Sequence, residues 1–305
     1  METLSGAYRE LIKTVMAVSK LSQVVTEANV YQEGDANVLP LVDKLIDDLI
    51  LPQSGISGMD NLTGLFRQAS GGKSCLLLLE HYSNLDLPNF SYLLRKEPDP
   101  GPEIGDSLVA IAGMKLNEDN PAVAAFTGAY TRLVIYPSRS LLGLDAEKHK
   151  AELIRSNGIN RAAMRTLLEI KSRGKLVLVF PAGTRYRPWD PASKKGVREI
   201  DSYIKSFDYM CLVAINGNLL HIRQGDMMDD YVYRDVVRYT AGPVVSCAEF
   251  RNQIRALAEA GGIEDKKQAV VDAIMENLEK MHQEAEKDRE KLLPKQAAAE
   301  KNPAT

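Results

Sequence analysis

Hydrophobic positions along the first 70 residues recur at helical intervals. Leu4, Tyr8, Leu11, Val15, Val18 and Val25 step along one face at spacings of three and four, with one double step. Pro40 stands near the start of a second helix, whose Val42, Leu45, Ile46 and Leu49 form a stripe. Ser57 ahead of Asp60 has the form of a capping box for a third, short helix through Leu62, Leu65 and Phe66. The pattern predicts a small N-terminal helical domain over residues 1–70, closed by Ser70-Gly71-Gly72. Beyond the glycines the period changes. Apolar runs at 75–79, 108–112, 132–136, 176–180 and 210–215 read as buried strands, with helical stretches around 85–95, 121–130 and 145–172 between them. Such alternation predicts an α/β domain over residues 71–290, a mixed, largely parallel sheet flanked by helices. The segment 264–290 reads as a long, charged amphipathic helix, and 291–305 as a flexible C-terminal tail.

Composition narrows the function classes. The chain has 305 residues, 45% hydrophobic and 26% charged, which is ordinary globular usage and excludes wholesale disorder. A net charge of −3 argues against a nucleic-acid binder. Cys75, Cys211 and Cys247 are far apart in apolar surroundings and read as reduced core thiols of an intracellular protein. No apolar run approaches the ~18 residues of a membrane span. Glu2, Arg9, Glu10 and Lys13 interrupt any signal-peptide core, so the expectation is a cytoplasmic protein.

Several motifs can be set aside. Gly71-Gly72-Lys73-Ser74 resembles the end of a P-loop, but Arg67 stands where the first glycine belongs, and the tetrapeptide precedes a strand where a P-loop follows one. No G-x-S-x-G, H-E-x-x-H or C-x-x-C occurs, so serine-hydrolase and zinc chemistry have no anchor, and no metal or cofactor is expected.

Two blocks remain. In "LLLLEHYSNLDLPNF", His81 and Asp86 follow a buried strand directly. An imidazole there suits general-base work at neutral pH, and a carboxylate one turn on suits fixing its tautomer. The spacing alone is cheap: it recurs at His221 and Asp226, and a strand-end histidine often makes only an ordinary capping bond. About 100 residues later, "LVLVFPAGTRYRPWDP" runs from a strand into the small-residue turn Pro181-Ala182-Gly183-Thr184, then Arg185 and Arg187. Such a turn lets backbone approach a ligand, and arginine forks suit phosphate oxygens, although two solvated surface arginines would read the same way. With Lys194, Lys195 and Arg198 close behind, these arginines form a candidate basic patch.

Taken together, the blocks resemble the glycerolipid acyltransferase family, whose signature is His-x-x-x-x-Asp followed downstream by Phe-Pro-Glu-Gly-Thr-Arg, each after a strand. The chain is most similar to the soluble, plastid-type glycerol-3-phosphate acyltransferases, with Pro181 to Pro188 over their Pro-Ser-Gly-Gly-Arg-Asp-Arg-Pro. The stretch "TRLVIYPSRSLLG" resembles the block in which a Lys-His pair helps hold the acceptor phosphate; Arg139 falls at the lysine and Ser140 at the histidine. Ala182 stands where the wider family has glutamate, and Tyr186 replaces an acidic residue. The second pair, His221 and Asp226, lies after the arginine block, outside the family's order.

The resemblance implies transfer of a fatty acyl group from acyl-CoA or acyl carrier protein to glycerol 3-phosphate, in phospholipid synthesis. His81 would be the base and Asp86 its orienting partner, with Arg139, Arg185, Arg187 and Lys115 on the phosphate and Pro181, Ala182, Gly183 and Thr184 as the acceptor-pocket turn. It implies no cofactor, no nucleic acid, and peripheral membrane contact at most. The alternatives are acylation of 1-acylglycerol 3-phosphate, or a non-catalytic acyl-lipid or carrier-binding protein of the same fold.

Overall fold

The computed structural model describes residues 1–20, 24–118, 120–141, 145 and 148–293. Within them the strands are, in chain order, β1 (Tyr31–Gln32), β2 (Gly55–Ser57), β3 (Cys75–Leu79), β4 (Leu108–Gly113), β5 (Arg132–Ile135), β6 (Leu176–Val179), β7 (Tyr209–Asn216), β8 (Leu220–His221), β9 (Tyr231–Val232), β10 (Arg238–Ala241) and β11 (Val245–Ser246). One sheet has the order β1-β5-β4-β6-β3-β7-β10-β2, with β11 also on β7, while β8 and β9 pair separately. The middle five, β5, β4, β6, β3 and β7, are mutually parallel. Antiparallel partners close each side: β1 joins β5, and β10 and β11 join β7. The fold is mixed α/β with a largely parallel sheet flanked by helices.

Alternation along the strands sorts their side chains into two cores. Cys75, Leu77 and Leu79 pack in one, Leu76 and Leu78 in the other; Leu176 and Leu178 likewise oppose Val177 and Val179. Burial on both faces is why these strands read as unbroken apolar runs. The first face is covered by helices Leu39–Leu49, Met59–Ser70 and Asp86–Lys96, the second by Lys150–Ile170 and Lys266–Glu290. The last helix starts where the Asp265 side chain accepts from the backbone N–H groups of Lys267 and Gln268.

The N-terminal segment differs from its expectation as helices only. β1 and β2 lie within it and form the outermost strands on the two sides of the sheet, Tyr31 opposite Leu133 and Ser57 opposite Thr240. Strands of two and three residues are too short to leave a periodic signal. Ser57 ends β2 and is no helix cap; Gly58 takes that place with φ 79°, and a Cβ there would come within 2.2 Å of the Ala241 carbonyl oxygen. Leu45, Ile46 and Leu49 share a core with Leu77. The boundary at residue 70 therefore marks a change of sequence period within one core. Most of the expected tail, residues 294–305, lies outside the described residues.

The three cysteines are free and buried, and burial pushes each thiol up to about 12. No described helix is long and apolar enough to cross a membrane.

Candidate active site

β3 ends at Leu79, and the turn after it leads into the helix Asp86–Lys96. Asp86 closes this turn. Its Oδ2 accepts from the backbone N–H of Tyr82 (2.6 Å) and of Ser83 (2.9 Å), and its Oδ1 from the Ser83 hydroxyl (3.0 Å). The same Oδ2 lies 2.9 Å from His81 Nδ1, with Asp86 3% and His81 17% exposed. A carboxylate only accepts, so the proton sits on Nδ1 and Nε2 is left with its lone pair. Two further elements fix the pair: the His81 ring stacks on Phe180 at 4.0 Å and 13°, and the Tyr239 hydroxyl donates to the Asp86 carbonyl at 2.7 Å.

Two apolar cavities meet at this histidine. The first, about 120 Å³, lies on the sheet face covered by the N-terminal helices; Leu85, Ala110, Val123, Phe126 and Arg132 line it. The second, about 420 Å³, lies on the opposite face among Ile135, Ala163, Leu167, Val179 and Tyr203. His81 and Phe180 line both.

The turn Pro181–Thr184 follows Phe180 directly. Gly183 adopts φ 63° and donates to the Phe180 carbonyl at 2.9 Å, which folds the chain back tightly after β6. Pro181 and Ala182 are buried beside His81, Tyr82, Tyr186 and Lys194.

The two arginines after the turn part company. Arg185 is ion-paired through Nη1 to Asp230, with Arg185 13% and Asp230 0% exposed. Burial raises the Asp230 carboxyl above its ordinary value against the pull of Arg185. Arg185 is thus drawn into a buried pair. Arg187 is 43% exposed, with Nη2 3.3 Å from the Thr184 hydroxyl and Nη1 3.9 Å from Asp190. The Lys115 and Arg139 side chains lie outside the described residues. Ser140 sits in the short 3-10 helix Ser138–Leu141, where its N–H donates to Pro137 at 3.0 Å.

The candidate basic patch is largely neutralised. Lys194 is paired with Glu279, and Arg198 lies 2.7 Å from Asp265. In the second His-x-x-x-x-Asp, His221 is exposed and stacked on Tyr233 at 4.8 Å. Asp226 serves local structure there, accepting from Asn120 Nδ2 at 3.0 Å and from the Met228 N–H at 2.8 Å.

Sequence reasoning missed a polar cluster behind His81. Glu80 is 5% exposed; its Oε2 accepts from the Ile215 N–H (2.8 Å) and His282 Nδ1 (2.9 Å), and its Oε1 from the Tyr82 hydroxyl (2.8 Å). Burial opposes charging of His282, but the Glu80 bond and charge more than offset it and hold its pKa above the ordinary value. Glu80 was visible only as a charge at the end of an apolar run. His282, 202 residues away, had no local signal.

Neither a family model nor a curated protein matches the chain. Among solved structures, the chain is similar to the 1-acyl-sn-glycerophosphate (LPA) acyltransferase PlsC from Thermotoga maritima. The two are 14% identical, the match covers 90% of this chain and 88% of that one, and the TM-score is 0.41.

Proposed function

We propose that the protein is an acyltransferase that moves a fatty acyl group from an acyl thioester to glycerol 3-phosphate. One observation carries the reading: a histidine held through Nδ1 by a buried carboxylate, lining two apolar cavities. His81 Nε2 takes the proton of the acceptor hydroxyl as that oxygen attacks the thioester carbonyl. Asp86 supports the imidazolium that forms, without itself taking the proton. The tetrahedral species collapses with loss of the thiolate, and the imidazolium returns its proton to the sulfur. Donor and acceptor held together need no acyl-enzyme. Each chain methylene buried by the cavity contributes about 0.8 kcal/mol.

Arg187, the more exposed guanidinium, is assigned to the phosphate, together with Arg139 and Lys115 on the strength of the family resemblance. Arg185 is reassigned to holding the turn through Asp230. The test is release of thiol from an acyl thioester with and without glycerol 3-phosphate; turnover that does not depend on the acceptor would overturn the reading.

A second reading is favoured by a specific observation. Two separate apolar cavities reach His81, one on each face of the sheet, and a reaction joining two chain-bearing substrates would fill both. That reaction is acylation of 1-acylglycerol 3-phosphate. Substituting this acceptor in the same assay decides between the two.

A further inference from the structure

The first cavity ends against a charge that has nothing to pair with. Arg132, the first residue of β5, is 2% exposed. Its Nε donates to Gln32 Oε1 at 3.0 Å, while neither terminal nitrogen has a hydrogen-bond partner. Burial alone lowers its pKa, to about 10, so the guanidinium is charged at neutral pH. A buried ion without a counter-charge is strongly unfavourable. The stripe of wall around it offers little compensation: Ala110, Ala112, Val123 and Phe126 are apolar.

Register places this charge far from the reacting end. Arg132 pairs with Ala110, Ala110 with Leu178, and Leu178 with Leu77, so these residues share one level of the sheet. His81 follows Leu77 by four positions, about 13 Å farther along the strand direction. β5 and β3 are three strand spacings apart, about 14 Å across the sheet. The cavity is therefore lined by the His81 imidazole and, well away from it, by an unpaired guanidinium, with apolar wall between.

We propose that this cavity binds an acyl chain whose far end carries a carboxylate, the mono-thioester of an α,ω-dicarboxylic acid, with the carboxylate held by Arg132. This deepens the proposed function and rests on its reading that the cavity beside His81 takes the acyl chain. A carboxylate matches the guanidinium fork and carries a single charge for a single cation. A phosphate in the same place would leave its second charge buried without compensation. An apolar chain end would leave the guanidinium as it stands now, unpaired.

The experiment is a calorimetric binding series on the intact protein, without acceptor. Alkanedioyl-coenzyme A thioesters from octanedioyl to hexadecanedioyl are compared with alkanoyl thioesters of equal length. At the best-fitting length the dicarboxylic ligand should bind about tenfold more tightly or better, as charge-assisted hydrogen bonds allow. Arg132→Met should abolish the preference, and Arg132→Lys should retain part of it. Equal affinities, a preference for the monocarboxylic series, or a preference that survives Arg132→Met would each overturn the proposal. If Arg132→Met fails to fold, the wild-type comparison and Arg132→Lys still decide. Binding preference without acyl transfer in the thiol-release assay would sink the proposed function alone, and transfer of plain chains without preference would sink this inference alone.

Discussion

The rings of His81 and Phe180 stack 4.0 Å apart and 13° from parallel, and they come from the ends of neighbouring parallel strands, β3 and β6. The hydrogen bond to Asp86 fixes which nitrogen of the imidazole carries the proton; the stacking fixes the plane in which the other nitrogen points. The hydrogen bond is local to the turn after β3, whereas the stacking depends on β3 and β6 being adjacent although about 100 residues separate them in sequence. Phe180→Ala should therefore lower turnover by about tenfold, less than loss of the base, because the Asp86 bond survives. Steady-state kinetics of Phe180→Leu, which keeps bulk without a ring face, separates stacking from packing.

His81→Ala should reduce thioester turnover by roughly 10²–10⁴-fold, the contribution expected of a positioned general base. Asp86→Asn should be comparably severe, because an amide can donate to Nδ1 and select the wrong tautomer. Melting temperatures read alongside turnover separate chemistry from folding, since Asp86 also closes the turn through two backbone N–H groups. His221→Ala is the internal control and should be nearly silent. Near wild-type turnover in His81→Ala would falsify the base assignment.

Arg185 and Arg187 should behave differently. Arg185→Ala leaves Asp230 buried without its cation, and breaking such a pair costs on the order of 3 kcal/mol. A lowered denaturation midpoint is the expected readout, with Arg185→Ala/Asp230→Asn recovering part of the loss. Arg187→Ala should leave the midpoint unchanged and raise KM for the phosphate-bearing acceptor well above any change for the donor. If the two variants shift KM alike and neither unfolds, the division of labour is wrong.

The five parallel strands were legible because burial on both faces writes an unbroken apolar run, and His81 and Asp86 were legible because both lie on one short turn. The edge strands β1 and β2 were not, because two or three residues carry no period and their pairing partners are remote. The same limit hid the fate of Arg185: spacing places it two residues from Arg187, but the carboxylate that captures it is 45 residues downstream. Arg132 was absorbed into an apolar strand at 132–136, and only the packed structure shows that its terminal nitrogens have no partner.

His282 gives a pH dependence whose sign follows from its environment. Its folded pKa lies above the ordinary value of 6.5, raised by the Glu80 bond and charge against burial, with Lys194 opposing and Glu286 assisting. The stabilisation is therefore complete below the unfolded value and is lost as pH rises through the folded one. Thermal melts should show the midpoint falling as pH climbs above about 6.5. In His282→Gln that part of the slope should disappear. A slope unchanged by the substitution would assign it to another group.

The two cavities at His81 can be tested one at a time, because Ala110 lines only the first and Ala163 only the second. Ala163 is 2% exposed on the helix Lys150–Ile170, facing about 420 Å³ of space, so Ala163→Phe has room for its ring and should cost less than the ~1–3 kcal/mol of ordinary overpacking. A ring there displaces the equivalent of about three chain methylenes, on the order of 2 kcal/mol of apolar burial. If the second cavity holds the chain of an acylated acceptor, KM for 1-acylglycerol 3-phosphate should rise more than tenfold while acylation of glycerol 3-phosphate stays within about twofold. Ala110→Leu should act on the other substrate, shortening the donor chain accepted and leaving acceptor KM alone. Equal losses with both acceptors in Ala163→Phe would mean that the second cavity serves the donor, and the reading of two chain-bearing substrates would fall.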